Sequence, residues 1–392
     1  MKKLGLLMLI AVNIAMLTTA CSGKPYTCTD PLGCVKIEPN EEIQIAALLT
    51  LSGPDAPYGI DALRGVQIAL DEKGSLFGHK LALIEQDDLC TEAGGIDGAN
   101  ALAGNTQIVG VIGATCSSGS LPAAEILSAA GKVLISPSST APSLTDPAIH
   151  QAGFLRSIYN DKVQGKAVAE FAYNVLGLRT MATIHDGTAY SEQLQQAACE
   201  NFEKLRGYCV AQIEITSGQD LTPVLERAFA LNPDVLYYPV YTLDGVGITN
   251  GAQAAGLVNV ALISSDGLIS TDFIMQTFEA SQGMYFSGPA PVEGSQAFIE
   301  TYTTRFGEKP IATYHLYGYD AAQMLFTATG KAAVMSGETV YIPRQALRDA
   351  LYGLRGLEGQ SGSLTCSPTG DCATPDIQVF QVSGDEFLPI YP

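Results

Sequence analysis

From Ile43 onward, short apolar runs alternate with segments whose apolar residues recur at helical spacing. The runs cover residues 43–51, 80–87, 107–113, 133–136, 180–185, 209–215, 235–240 and 260–264. The helical segments cover 58–73, 92–104, 121–130, 162–175, 191–205, 221–230 and 245–255. A run that is apolar throughout suits a strand buried on both faces, and a helix after each strand makes parallel βαβ units. These strands are too many for one ordinary open sheet, and 392 residues give room for two lobes with separate cores. Beyond residue 288 the pattern turns helical over 296–306, 313–333 and 343–352, and residues 363–366 and 377–382 read as a hairpin-like pair around a Cys366/Cys372 loop.

Two of the runs end in hydroxyl-rich turns. Ile112-Gly113-Ala114-Thr115-Cys116-Ser117-Ser118-Gly119 closes one, and Leu134-Ile135-Ser136-Pro137-Ser138-Ser139-Thr140 closes the next. Ligands of open α/β sheets sit in the crevice beyond the carboxyl ends of the strands. Hydroxyls and free N–H groups there suit a carboxylate or phosphate without a fixed positive charge. Either turn alone is explained by helix capping. Two after consecutive strands point to holding a small anion-bearing molecule.

The formal charge is −19, with no Lys/Arg cluster beyond the N-terminus, which is the wrong sign for a nucleic-acid partner. Lys2 and Lys3 precede an apolar run from Leu4 to Leu17, followed by Thr18-Thr19-Ala20-Cys21. This is the layout of a secretory signal, too short to span a bilayer. It resembles a bacterial lipoprotein signal with Cys21 as the lipidated residue, although Thr18 stands where that pattern has an aliphatic. Residues 1–21 are then signal and lipidation site, 22–40 a tether, and the body lies outside the cytoplasmic membrane.

Setting Cys21 aside leaves eight cysteines in near-neighbour pairs: Cys28/Cys34, Cys90/Cys116, Cys199/Cys209 and Cys366/Cys372. Eight cysteines allow 105 connectivities. Local pairing in an oxidising compartment is the simplest of them. No pair has zinc-site spacing and none has a nearby His, so no metal is expected. There is no phosphate-binding G-x-x-x-x-G-K-[ST] loop, no H-E-x-x-H helix, no G-x-G-x-x-G and no G-x-S-x-G elbow. His185-Asp186 has no nucleophile assigned beside it. The reading is therefore a non-enzyme without cofactor.

Further stretches join the two turns in a series. They are Leu51-Ser52-Gly53-Pro54 with Tyr58-Gly59, Gln86-Asp87-Asp88 with Cys90, Ile184-His185-Asp186 with Tyr190, Tyr237-Tyr238 with Tyr241, and Asp266-Gly267. In order and rough spacing, from about residue 43 to 390, the chain resembles the periplasmic type I solute-binding proteins of branched-chain amino acid ABC transporters, the leucine/isoleucine/valine-binding family. The resemblance implies an α/β fold of two Rossmann-like lobes with parallel sheets, joined by a three-strand hinge and closing like a clamp. Lobe one would hold 41–157 and 288–356, and lobe two 158–287 and 357–392, with crossings near 157–160, 286–288 and 356–359. It also matches Cys90–Cys116 to a disulfide of the family.

By motif position, Ser117 and Thr140 would hold an amino-acid α-carboxylate through hydroxyls and N–H groups. Ser139 would present its backbone in the same turn, its carbonyl free for the ammonium. Asp266 takes the position of the family's acidic residue for the α-ammonium, and Tyr190 and Tyr241 line the second lobe. Tyr58, Thr115, Cys116 and Ser138 would line the side-chain pocket from the first lobe. That lining is more polar than a branched aliphatic side chain needs, which keeps a small polar or aromatic amino acid beside Leu, Ile and Val. Arg64 and Arg156 are the candidates for a second ligand anion, and each reads first as a structural pair. The implied role is the ligand-binding component of an ABC importer, with a membrane permease as partner and a lipid anchor. The alternative is a sensing module of the same fold serving a signalling partner, and an exported enzyme stands behind both.

Overall fold

The computed structural model describes residues 26–256, 259–292 and 295–392, so Cys21 and the signal segment lie outside the described residues. Two sheets carry the chain. The first runs, in spatial order, Ser75–Leu76, His79–Asp87, Ile43–Leu49, Ile108–Gly113, Leu134–Ser136 and Phe154–Arg156, all parallel except the short first pair. Every residue of Ile108–Gly113 is buried, as a central strand covered by helices on both faces must be. The second sheet runs Glu386–Tyr391, Ile377–Ser383, Tyr285–Pro289, Ala261–Ser264, Val235–Tyr237, Thr180–His185 and Tyr208–Glu214. Its inner strands are parallel, and the last two strands of the chain add to it antiparallel.

Helices cover both faces of each sheet. Ala56–Lys73 and His315–Ala332 pack so closely that a Cβ on Gly65 would lie 1.9 Å from the His315 carbonyl oxygen. The segment 162–175 forms an α-helix over Asp161–Glu170 that widens into a π-helical turn at Phe171–Val175. Disulfides join Cys28 to Cys34, Cys90 to Cys116, Cys199 to Cys209 and Cys366 to Cys372.

Three features differ from the sequence reading. The strand Cys34–Ile37 pairs antiparallel with Thr339–Pro343, and its Val35 and Ile37 enter the first core, so this part of the supposed tether is docked. Ser363–Leu364 pairs with Leu357–Glu358, not with Ile377–Ser383, whose hairpin partner is Glu386–Tyr391. Finally, Leu357, Leu364, Cys366 and Cys372 pack in the first core, so the chain enters the second sheet only at Ile377, later than the glycines at 356–359. Arg156 holds that loop to the edge strand: its Nε donates to Asp371 at 2.6 Å, its N–H donates to the Gly370 carbonyl, and its carbonyl accepts from the Cys372 N–H.

Asp320 ties the same region together, accepting from the N–H groups of Gln360 and Ser361 at 2.6 and 2.8 Å. Burial nevertheless pushes its carboxyl up from 3.8 to about 6. The folded chain therefore holds this proton more tightly than the unfolded chain does. The stabilisation is full below about pH 4 and is lost as the pH rises through 6, roughly 3 kcal/mol in all. Asp320→Asn is expected to flatten that part of the melting curve measured between pH 4 and 7. Parallel pH profiles for the two proteins would contradict this.

Candidate functional site

The carboxyl ends of both sheets face each other, and a small, partly open cavity lies between them. Tyr58, Thr115, Cys116 and Ser138 line it from the first lobe with Tyr314, and Tyr190, Tyr241, Asp266 and Gly267 from the second. Its volume of about 10 Å³ is room for roughly one water. That is too small for an amino acid in this conformation.

The first wall is the pair of hydroxyl turns. At Gly113 the strand turns with φ +140°, and a Cβ there would lie 1.9 Å from the Leu48 carbonyl oxygen, so only glycine lets the cradle begin at this point. Asp88, itself buried, accepts from the Thr115 N–H at 2.7 Å and the Cys90 N–H at 2.9 Å, fixing the turn from below. The helix Ser117–Ala129 then starts with Cys116 at its N-cap and no side-chain acceptor for its first N–H groups. Those groups and the helix dipole favour an anion. The Ser117 hydroxyl oxygen accepts from the Ala141 N–H at 3.2 Å, which leaves its own proton free to donate. Thr140 Oγ1 is buried with no partner among the described residues.

Ser117, Ser139 and Thr140 stand behind the cavity lining. Ser139 is bonded within its own lobe. Its N–H donates to Ser136 Oγ at 2.9 Å, its carbonyl accepts from Arg156 Nη1 at 3.1 Å, and its hydroxyl donates to Ala114 and Thr115 carbonyls. These bonds hold the turn, with the Ser139 carbonyl accepting from Arg156. Ser138 donates its hydroxyl to the Thr115 carbonyl at 2.7 Å and keeps the lining position.

The second wall centres on Asp266, in a short turn after Ala261–Ser264 and 1% exposed. Its Oδ1 accepts from Gln164 Nε2 at 2.9 Å and Tyr190 OH at 2.8 Å, and its Oδ2 from Tyr159 OH at 3.1 Å and Tyr314 OH at 3.0 Å. Burial, with the charge of Asp266, holds the hydroxyls of Tyr159, Tyr190 and Tyr314 well above the usual tyrosine range, so they remain donors. Tyr159, Gln164 and Tyr314 escaped the sequence reading. Tyr159 lies in the first crossing and Gln164 in the helix after it, and Tyr314 reaches Asp266 from the other lobe; no local pattern marks any of them. Asp161, close in sequence to Tyr159 and Gln164, is also buried, and neither of its carboxylate oxygens has a partner among the described residues. Burial first, and then the charge of Asp266, raises its carboxyl.

Direct bonds already cross the cleft. Tyr58 OH donates to the Gly267 carbonyl at 2.7 Å, Asp55 accepts from the Thr242 N–H at 3.3 Å, and Ser143 exchanges two 2.9 Å bonds with the Gln193 amide. No Lys or Arg lines the cavity. Arg64 is engaged by Glu308 and Tyr302, and Arg156 by Asp371, so both are structural. Among the described residues no cluster of three or more His, Cys, Asp or Glu could hold a metal, and no helix is long and apolar enough to cross a membrane.

The model of the family described as "Periplasmic binding protein" matches residues 42–386. The Leu/Ile/Val-binding protein of Escherichia coli (strain K12) is 30% identical over 253 residues, covering 64% of this chain and 68% of its own. A leucine binding protein from Thermotoga maritima superposes with a TM-score of 0.80 at 24% identity, over 89% of this chain and 97% of its own. A periplasmic binding protein type 1 from Bordetella pertussis Tohama I gives 0.79 at 21% identity, over 90% of this chain and all of its own.

Proposed function

The chain belongs to the periplasmic binding protein family, and from that membership we propose that it is the ligand-binding component of an ABC importer, capturing a free amino acid in its hinged cleft. The fold is that of the type I members, and the family is one of exported, periplasmic proteins. The relatives named for Leu, Ile and Val support a branched-chain or another small neutral amino acid as ligand. The observation that carries the reading is Asp266 on one lobe facing the hydroxyl turns of the other across a cavity free of Lys and Arg. Such a pair of walls is complementary to a zwitterion. The ammonium lies toward Asp266 and the tyrosine rings, the carboxylate toward the helix start at Ser117 and the Thr140 hydroxyl.

Because every such group holds and none transforms, the protein acts as a receptor and not as an enzyme. Its partner is the membrane permease, which receives the ligand when the lobes part. Lipid on Cys21 anchors it at the membrane surface.

The test is calorimetric titration of the mature chain with L-leucine, L-isoleucine, L-valine and small polar amino acids. Heat from none of them contradicts the reading. Ser117→Ala combined with Thr140→Val removes two hydroxyl donors to the carboxylate. Each bond to a charged group contributes about 1.5–3 kcal/mol, so the double variant is expected to bind at least tenfold more weakly. An unchanged Kd would take the two hydroxyls out of the site.

A further inference from the structure

A carboxylate offers about four acceptor positions, two on each oxygen. In Asp266 all four are taken: Gln164 Nε2 and Tyr190 OH on Oδ1, Tyr159 OH and Tyr314 OH on Oδ2. Two of the four have further partners. The Gln164 nitrogen also reaches the Ser287 carbonyl and hydroxyl at 3.1 Å each, and the Tyr190 hydroxyl accepts from the Gly267 N–H at 3.1 Å. Asp266 thus brings a negative charge to the cavity but no open lone pair. In front of it stand four tyrosine rings, with Tyr58 and Tyr314 5.9 Å apart edge to face and Tyr190 and Tyr241 5.1 Å apart. A primary ammonium placed here must displace one of these donors or leave its own N–H unpaired. A cation with no N–H meets neither cost, and ring faces backed by a carboxylate attract it directly.

We propose that this site prefers a zwitterion whose nitrogen is alkylated, a betaine-type ammonium carboxylate, over the primary amino acid of the same skeleton. The proposal rests on the reading of the cleft as an amino-acid site. Glycine, N-methylglycine, N,N-dimethylglycine and N,N,N-trimethylglycine vary only the number of N–H groups. Calorimetric titration of the mature chain with this series, and with L-leucine, is the test. Affinity is expected to rise along the series, by about tenfold or more from first to last. Binding of L-leucine with a flat or falling series overturns the proposal and leaves the amino-acid reading intact. Heat from neither L-leucine nor the series overturns both.

Tyr314→Phe gives a second readout, since it opens one acceptor position on Asp266. It is expected to strengthen glycine binding relative to trimethylglycine by about tenfold, and Tyr159→Phe should act in the same direction. A purely structural role for either hydroxyl would weaken both ligands alike, and an unchanged ratio in both variants overturns the proposal.

Discussion

Asp266→Ala is expected to abolish measurable amino-acid binding while leaving a folded protein. The side chain is buried and is the acidic group of the cavity lining. Removing one partner of a buried charge pair costs about 3–5 kcal/mol, because the remaining charge is left uncompensated in a medium that solvates it poorly. That corresponds to a Kd raised by roughly two to three and a half powers of ten. The same substitution strands four donors, on Tyr159, Gln164, Tyr190 and Tyr314, so some loss of melting temperature accompanies it. Asp266→Asn separates the two effects, since it keeps the shape and loses the charge. Calorimetry on both variants, with circular dichroism to establish folding, checks the claim. Wild-type affinity in either would remove the Asp266 charge from the binding account.

Arg156→Met is expected to be the most damaging change outside the cavity. The Arg156 guanidinium is wholly buried and donates to Asp371, to the Ser139 and Ala141 carbonyls at 3.1 and 3.0 Å, and to Thr145 Oγ1 at 2.7 Å. Methionine fills much of the volume but leaves the Ser139 carbonyl without its donor and the Ala141 carbonyl with only the Leu144 N–H at 3.3 Å, and Asp371 loses its partner. A loss of about 3–5 kcal/mol is the expected scale. Because the bonded carbonyls belong to the Ser139–Ala141 turn, ligand affinity falls with stability. Chemical denaturation measures the first and titration the second. A change below about 1 kcal/mol would show that the guanidinium contributes little to the cradle.

The central architecture was legible because it is locally encoded. Ile43–Leu49 and Ile108–Gly113 are apolar strands, and the helices after them carry their periodicity within one turn of chain. Cys34–Ile37 was not, since its partner Thr339–Pro343 lies some three hundred residues away and nothing within four residues announces the pairing. Glu386–Tyr391 is an edge strand, largely exposed on both faces, so it lacks the alternation that marks a half-buried strand. The site divides along the same line. Cys116 and Ser138 sit in turns whose chemistry is visible in the sequence. Tyr58, Tyr190, Tyr241 and Asp266 follow from the resemblance, and the fold brings all six residues to one cavity. Tyr159 and Gln164 reach Asp266 across about a hundred residues of chain within the second lobe, and Tyr314 reaches it only when the two lobes meet. Ser139 is less legible, because a turn serine reads the same whether or not its carbonyl also meets an arginine, as this one meets Arg156.

The claim that both ends of a zwitterion are gripped is tested most directly by one calorimetric comparison on the mature chain. L-Leucine, leucinamide and 4-methylpentanoate share one side chain and differ only in which charged group is present. The amide lacks the carboxylate that the Ser117 and Thr140 turns would hold, and the acid lacks the ammonium that faces Asp266. The account predicts binding of L-leucine and a loss of about 2 kcal/mol or more for each of the other two. Equal affinity for all three would contradict it.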